Sequence, residues 1–301
     1  MLIIITVLMI SIERDTAGNI VPGDNTSQEN INTETASQYE LMSSNSNDIQ
    51  SQVIINPGIK TKAKKDLYFL LILDDAGFSK NYEFLDYDRS LNISVIPDTY
   101  FAKEWIKKIN KQNNHELMMH IPMSAYSIGL KGIYDGISLE KISFLLDKWM
   151  LYFAGVKGAN NHQGSYATAN RTLMKRFFSV FKKYGLYFVD SITIGNTKAY
   201  TESKRAGIFA LQRHIFLDHI RSESFIRQQL NSCIRVAKQI GFVVAIGHVT
   251  TPNLLNILKS YDNEFKRCNI KFLKISDFFA LNFLSVSYGG MNENSWHRNL
   301  M

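Results

Sequence analysis

Acidic and imidazole side chains recur in this sequence where apolar runs end. "LLILDDAGFS" (70–79) closes on the adjacent carboxylates Asp74 and Asp75, "ELMMH" on His120, and "GANNH" on Asn160, Asn161 and His162. Asp190 closes "YFVD", Asp218 follows "IFL", and His248 closes "FVVAIGH". Singly each is ordinary: an acidic pair before glycine reads equally well as a turn, and a histidine as a buried ring bonded to backbone. Their return at the same place in successive runs is the informative part. A carboxylate with two imidazoles is a ligand set for a divalent ion such as zinc, with positions left for water and substrate. A second carboxylate can then serve as general base and a further histidine can protonate a leaving group, which is equipment for metal-assisted hydrolysis of an amide or ester. Neighbouring side chains on a strand face opposite ways, so one of Asp74 and Asp75 is expected to point inward.

The elements that must position these groups alternate. Strands are expected at Leu67–Leu73, Leu91–Ile96, Glu116–His120, Val156–Asn160, Leu186–Asp190, Ile208–Leu211, Phe242–Gly247 and Ile270–Ile275. Helical patterns lie around Ala102–Lys111, Leu139–Phe153, Arg171–Tyr184, Ser222–Ile240 and Leu254–Phe265. Ser222 and Gly241 are clear start and stop signals. Strand–helix alternation predicts parallel β/α units, either an open wound sheet or a barrel, and about 220 residues suit one barrel of seven to eight strands. Barrel enzymes build their sites at the C-terminal strand ends, where these residues fall.

Outside that region the composition changes. "NTSQENINTETASQYELMSSNSND" has too little apolar surface to offset its ordering entropy, so residues 15–65 read as a disordered linker and 282–301 as a loose tail. The first ten residues, "MLIIITVLMI", suit the apolar part of an export signal, although no Lys or Arg precedes them. An exported, periplasmic or envelope location follows as an expectation, with a weak membrane tether if the segment is retained. Residues 1–60 carry seven Asp/Glu and two Lys/Arg, net −5, which leaves +12 for the remainder of a chain of net +7. No basic run is interleaved with aromatics and no nucleic-acid motif is present, so the charge reads as solvated surface. Cys233 and Cys268 lack metal-ligand spacing; Cys233 suits a helix core, and the sequence leaves open whether the two pair.

"LLILDDAGFS", "ELMMHIPMS", "GVKGANNHQGSYATANRTLM", "GLYFVDSIT", "HIFLDH" and "FVVAIGH" occur in the order seen in the divergent polysaccharide deacetylases. That family is a branch of the NodB-homology carbohydrate esterases, and the resemblance runs from about Asp66 to Leu281. It implies an α/β fold, a distorted (β/α) barrel, holding a divalent metal, zinc first. Carried over residue by residue, Asp74 becomes the catalytic base, Asp75 and His120 metal ligands, and His248 the group that protonates the leaving amine, with Asp190 orienting it. The superfamily's second metal histidine falls on Ser124 here, and His162 of "NNH" replaces it. Asn160, Asn161, Ser165 and Asp218 are expected to contact substrate. The chain departs from the pattern at Ser124-Ala125, where the family has Glu-Pro, and at His214 and His219, where it has Asp and Asn; "GHV" stands for "GHP". Two functions compete: an exported deacetylase of an acetylated envelope glycan, and a non-catalytic envelope protein using the same cleft to bind a glycan or protein.

Overall fold

The computed structural model of the chain describes residues 66–126 and 132–288. The apolar start and the polar linker, like residues 289–301 of the expected tail, lie outside the described residues. Among the described residues no helix is long and apolar enough to cross a membrane.

Nine strands among the described residues form one sheet, and every pairing is parallel. They are β1 (Leu67–Ala76), β2 (Asn92–Val95), β3 (Glu116–Met123), β4 (Gly158–Gln163), β5 (Tyr187–Asp190), β6 (Ala210–Gln212), β7 (Ile215–Phe216), β8 (Phe242–His248) and β9 (Ile270–Phe272). The spatial order is β6-β5-β4-β3-β2-β1-β8-β7, with β9 against the first residues of β1. β6 and β7, the two ends of that order, are separated in sequence only by Arg213 and His214. The Arg213 N–H donates to Asp190 O on β5, and the His214 N–H donates to Val244 O on β8. One passage of chain thus touches both edges of the sheet and turns it into a distorted barrel.

Alternation sorts the side chains into two cores. Leu70 and Ile72 of β1, Met118 of β3, Tyr187 and Val189 of β5, and Val244 and Ile246 of β8 pack together in the lumen. Their sequence neighbours, such as Phe69, Leu71, Leu117, Phe188 and Val243, face outward into the layer covered by helices. Those helices are α1 (Ala102–Lys111), α2 (Leu139–Met150), α3 (Ser165–Ala169), α4 (Arg171–Phe181), α5 (Ala199–Arg205), α6 (Glu223–Ile240), α7 (Leu254–Ser260), α8 (Asp262–Arg267) and α9 (Ile275–Tyr288). Ser138, Asn170 and Ser222 cap α2, α4 and α6 by accepting from the N–H three residues on, as their side-chain chemistry favours.

The N-terminal end of the barrel is closed by α9, whose first turn is held from inside the lumen. Asn92 Oδ1 accepts from Ile275 N at 2.8 Å, and Glu116 Oε1 accepts from Ser276 N at 3.1 Å and from the Tyr187 hydroxyl at 2.6 Å. Gly158 makes room for that tyrosine, since a Cβ there would sit 2.1 Å from its ring.

Several elements differ from their sequence expectation. α9 begins at Ile275, so the last strand stops at Phe272, and the helix runs past Leu281, where the tail was expected to begin. The helix expected over Leu254–Phe265 is interrupted at Tyr261, where Ser260 Oγ bonds back to Ile257 O and competes with the helical ladder. Cys233 is buried, and both cysteines are free thiols.

Candidate metal centre

The lumen phase runs directly into the polar residues. On β1, Leu70 and Ile72 are followed by Asp74; on β3, Met118 by His120; on β8, Val244 and Ile246 by His248. Ser94 of β2 and Asn160 and His162 of β4 share that face. Asp75 ought to point away, but the chain bulges there. Leu73 pairs with Ile93 and Ala76 with Val95, so three steps on β1 match two on β2, and Asp75 has a φ of 63°. A bulge re-aims its extra side chain. Both carboxylates of the adjacent pair therefore reach the same place, where one inward carboxylate was expected: His120 Nε2 is 3.4 Å from Asp74 Oδ2 and 3.5 Å from Asp75 Oδ1.

Asp75, His120 and His162 offer ligand atoms that all lie within 4.8 Å of one another. Asp75 Oδ1 is buried and receives no hydrogen bond, although His162 Nδ1 is 3.1 Å away. His120 Nδ1 is engaged with Asn160 Oδ1 at 2.9 Å, which in the neutral ring leaves the Nε2 lone pair facing the two carboxylates. A buried, unpartnered oxygen beside two imidazole nitrogens fits a divalent ion.

Electrostatics divides the carboxylates. Burial holds Asp74 above the ordinary carboxylate range despite the nearby histidines. Burial acts on Asp75 too, but the contacts from His120 and His162 outweigh it and hold that carboxyl well below the range. Burial works against charge on His120, yet Asp74 and Asp75 raise its pKa, so a cation is favoured at that lone pair. Two acids pushed in opposite directions is the usual sign of divided roles.

His248 stands on the far side, with Nε2 4.0 Å from Asp75 Oδ2. Its partner is Asp218, not Asp190. His248 Nδ1 lies 2.9 Å from Asp218 Oδ1, while Asp218 Oδ2 accepts from the His248 N–H at 2.8 Å and from Thr251 Oγ1 at 2.6 Å. Burial alone would lower the histidine's pKa, but the Asp218 contact prevails and pushes it up to about 9. Asp190 has the phase of outward-facing Phe188. Its carboxylate accepts from Ile192 N, Thr197 Oγ1 and Tyr200 N, holding the turn into α5.

The residues expected to contact substrate also have other partners. Asn160 is 0% exposed and bonded inside the site. Asn161 faces outward, with its amide on Gln163 O and Ser191 N. Ser165 opens α3 and donates to Thr193 O. Ser124 donates to Tyr126 O, so nothing at the superfamily's second histidine position reaches the ligand cluster. His214 Nδ1 accepts the Val244 N–H at 2.9 Å and patches the β7–β8 ladder, and the His219 ring packs on Phe225. Ser94, Ser191 and Thr251 support the site and were not singled out from sequence. Ser94 had a signal: it is polar in the inward phase of "NISV".

The sequence profile of the divergent polysaccharide deacetylases matches residues 71–279, and the chain belongs to that family. It is 31% identical over 183 residues to the uncharacterized protein YibQ of Escherichia coli, a match spanning 59% of this chain and 57% of that protein. An uncharacterized protein of Haemophilus influenzae is 29% identical over 195 residues, 63% of this chain and 69% of the other. The crystal structure of uncharacterized protein ATU2773 from Agrobacterium tumefaciens superposes with a TM-score of 0.63 at 14% identity, covering 73% of this chain and 92% of that one, which establishes the shared fold.

Proposed function

We propose that the chain is a metal-dependent hydrolase that removes acetyl groups from an acetylated glycan of the cell envelope. Membership of the deacetylase family supports the substrate class, and the apolar first ten residues support export. The observation that carries the reading is the unpartnered Asp75 Oδ1, buried between two imidazole nitrogens with a second carboxylate alongside.

Asp75, His120 and His162 would hold the ion. When bound, zinc polarises an acetyl carbonyl and eases deprotonation of water. Asp74, whose raised pKa suits proton uptake, accepts the proton of the attacking water. His248 is kept protonated by Asp218, which holds Nδ1 and leaves the Nε2 N–H to protonate the departing amine or alcohol. The burial of Asp74 and His120 keeps bulk water from screening these charges.

Two variants test this. Asp74→Asn should cut hydrolysis of any working acetylated substrate by roughly 10²–10⁴-fold while zinc affinity stays close to wild type. His248→Ala should lose more rate on an acetamide than on an activated aryl acetate, whose leaving group hardly needs a proton. Equal loss on both, with zinc also lost, would make His248 a ligand. Zinc-loaded wild type that cleaves neither substrate would leave a glycan-binding protein.

A further inference from the structure

Asn160 uses every hydrogen-bonding position of its carboxamide within the site. Its Nδ2 lies 2.9 and 3.1 Å from the two oxygens of Asp74 and 3.1 Å from Ser191 Oγ. Its Oδ1 accepts from Ser94 Oγ at 2.5 Å and meets His120 Nδ1 at 2.9 Å. The orientation of the amide follows from chemistry, since an ionised Asp74 can only accept and the Ser94 hydroxyl donates to the opposite end. β4 is in register with β3 at this level, with Asn160 opposite His120, while Asp74 lies across the lumen on β1. One neutral side chain therefore touches both a metal-binding ring and a catalytic carboxylate that the backbone does not place together.

We propose that Asn160 is a positioning residue with two separable duties. Its NH₂ end fixes both oxygens of Asp74, and its carbonyl end takes the Nδ1 proton of His120 so that the Nε2 lone pair faces Asp75. The second duty sets the ring's tautomer, which governs whether His120 can act as a ligand at all. The first duty rests on the reading of Asp74 as base; the second stands without it.

The duties separate because Asp is isosteric with Asn but lacks the amide donor. In the full chain, Asn160→Asp keeps an acceptor for His120 but sets a second carboxyl against Asp74, so that the pair shares one proton and Asp74 is no longer a free base. Zinc affinity, measured by competition with a chromogenic chelator, should stay within about threefold of wild type or tighten, and hydrolysis of an activated aryl acetate should fall roughly 10²–10⁴-fold with KM little changed. Asn160→Ala removes both ends, so zinc affinity should also drop by about 10–100-fold. In an Asp74→Asn background, Asn160→Asp should cost no further rate, because its effect passes through Asp74. A merely structural asparagine would lose zinc and rate together in both variants, and would add its loss to that of Asp74→Asn.

Nitrogen chemical shifts of His120 in the metal-free chain give a readout free of any activity. Read at a pH high enough to hold the ring neutral against the pull of Asp74 and Asp75, wild type should show the Nδ1–H tautomer and Asn160→Ala a mixture. If Asn160→Asp fails to fold, this measurement and the zinc affinity of Asn160→Ala still decide. Unchanged zinc affinity and an unchanged tautomer in Asn160→Ala would overturn the second duty. Additive rate losses with Asp74→Asn would overturn the first. If Asp74→Asn itself leaves the rate intact, the base assignment fails while the tautomer result stands apart.

Discussion

β3 holds two buried polar groups, Glu116 at its first residue and His120 farther along toward the open end of the barrel, and the two sites differ in whether their carboxylates are finished. At the closed end, Glu116 accepts from Tyr187, from Ser276 N and from Ser276 Oγ, so both oxygens are used. At the open end, His120 meets Asp75, whose Oδ1 is as buried as a core atom yet has no donor. Burial raises the pKa of Glu116, as it does that of Asp74. Depth in the protein therefore does not distinguish the two ends; what differs is Asp75 Oδ1, which is buried without a donor. The N-terminal end of this barrel is closed by completed hydrogen bonds, and the C-terminal end gathers carboxylate and imidazole atoms among which Asp75 Oδ1 has no donor.

That contrast is sharpest for His120→Ala. Loss of a ligand should weaken zinc binding by roughly 10³-fold, above the ~10–100-fold typical of residues that only orient one, and the far-UV spectrum should be unchanged. Retention of wild-type zinc content would erase the distinction between the two ends. Next in size, Glu116→Ala strands the Tyr187 hydroxyl and the Ser276 N–H at the closed end. Urea unfolding should show a loss of about 2–4 kcal/mol with zinc affinity unaltered, and Glu116→Gln, which keeps one acceptor, should lose less.

The smallest effect is expected at the join between β6 and β7. Burial, then Arg213, lower the pKa of His214 to about 4, below the ordinary 6.5. Between those values the unfolded chain binds a proton that the folded chain excludes. This contribution is therefore complete above pH 6.5 and is lost as the pH falls toward 4. Discounted for partial exposure, it amounts to about 2 kcal/mol. Subtracting the stability profile of His214→Asn, which has no proton to gain, from that of wild type should leave this slope; a flat difference would show the ring already charged.

The sequence disclosed the strands whose apolar runs are long, such as β1, β3 and β8, because burial on both faces demands them. It concealed β7, a two-residue strand of partly exposed side chains, and α5, whose "AYTESKR" has little apolar periodicity. The ligand types were legible at strand ends for the same reason that they work there: a polar residue closing an apolar run must have a partner. The choice between Asp190 and Asp218 was not legible, since Asp190 closes one strand, Asp218 closely follows another, and their phase marks which faces inward. Asp218 shares the inward phase of Phe216, whereas Asp190 shares the outward phase of Phe188. The bulge at Asp75 was hidden too, because register is a property of two strands and the sequence presents one.

The passage Ala210–Phe216, which touches both edges of the sheet through so few residues, also has a dynamic consequence. A seam with little ladder opens at a free-energy cost below that of global unfolding. Asp218 lies two residues beyond it, whereas Asp75, His120 and His162 stand on β1, β3 and β4, which pair along longer stretches. Breathing of the seam would release the His248 ring from its carboxylate and leave the other three side chains assembled. Sub-denaturing urea should then speed amide exchange at the seam and slow acetamide cleavage before any zinc escapes, so that the proton donor and the cation site melt as separate cooperative units.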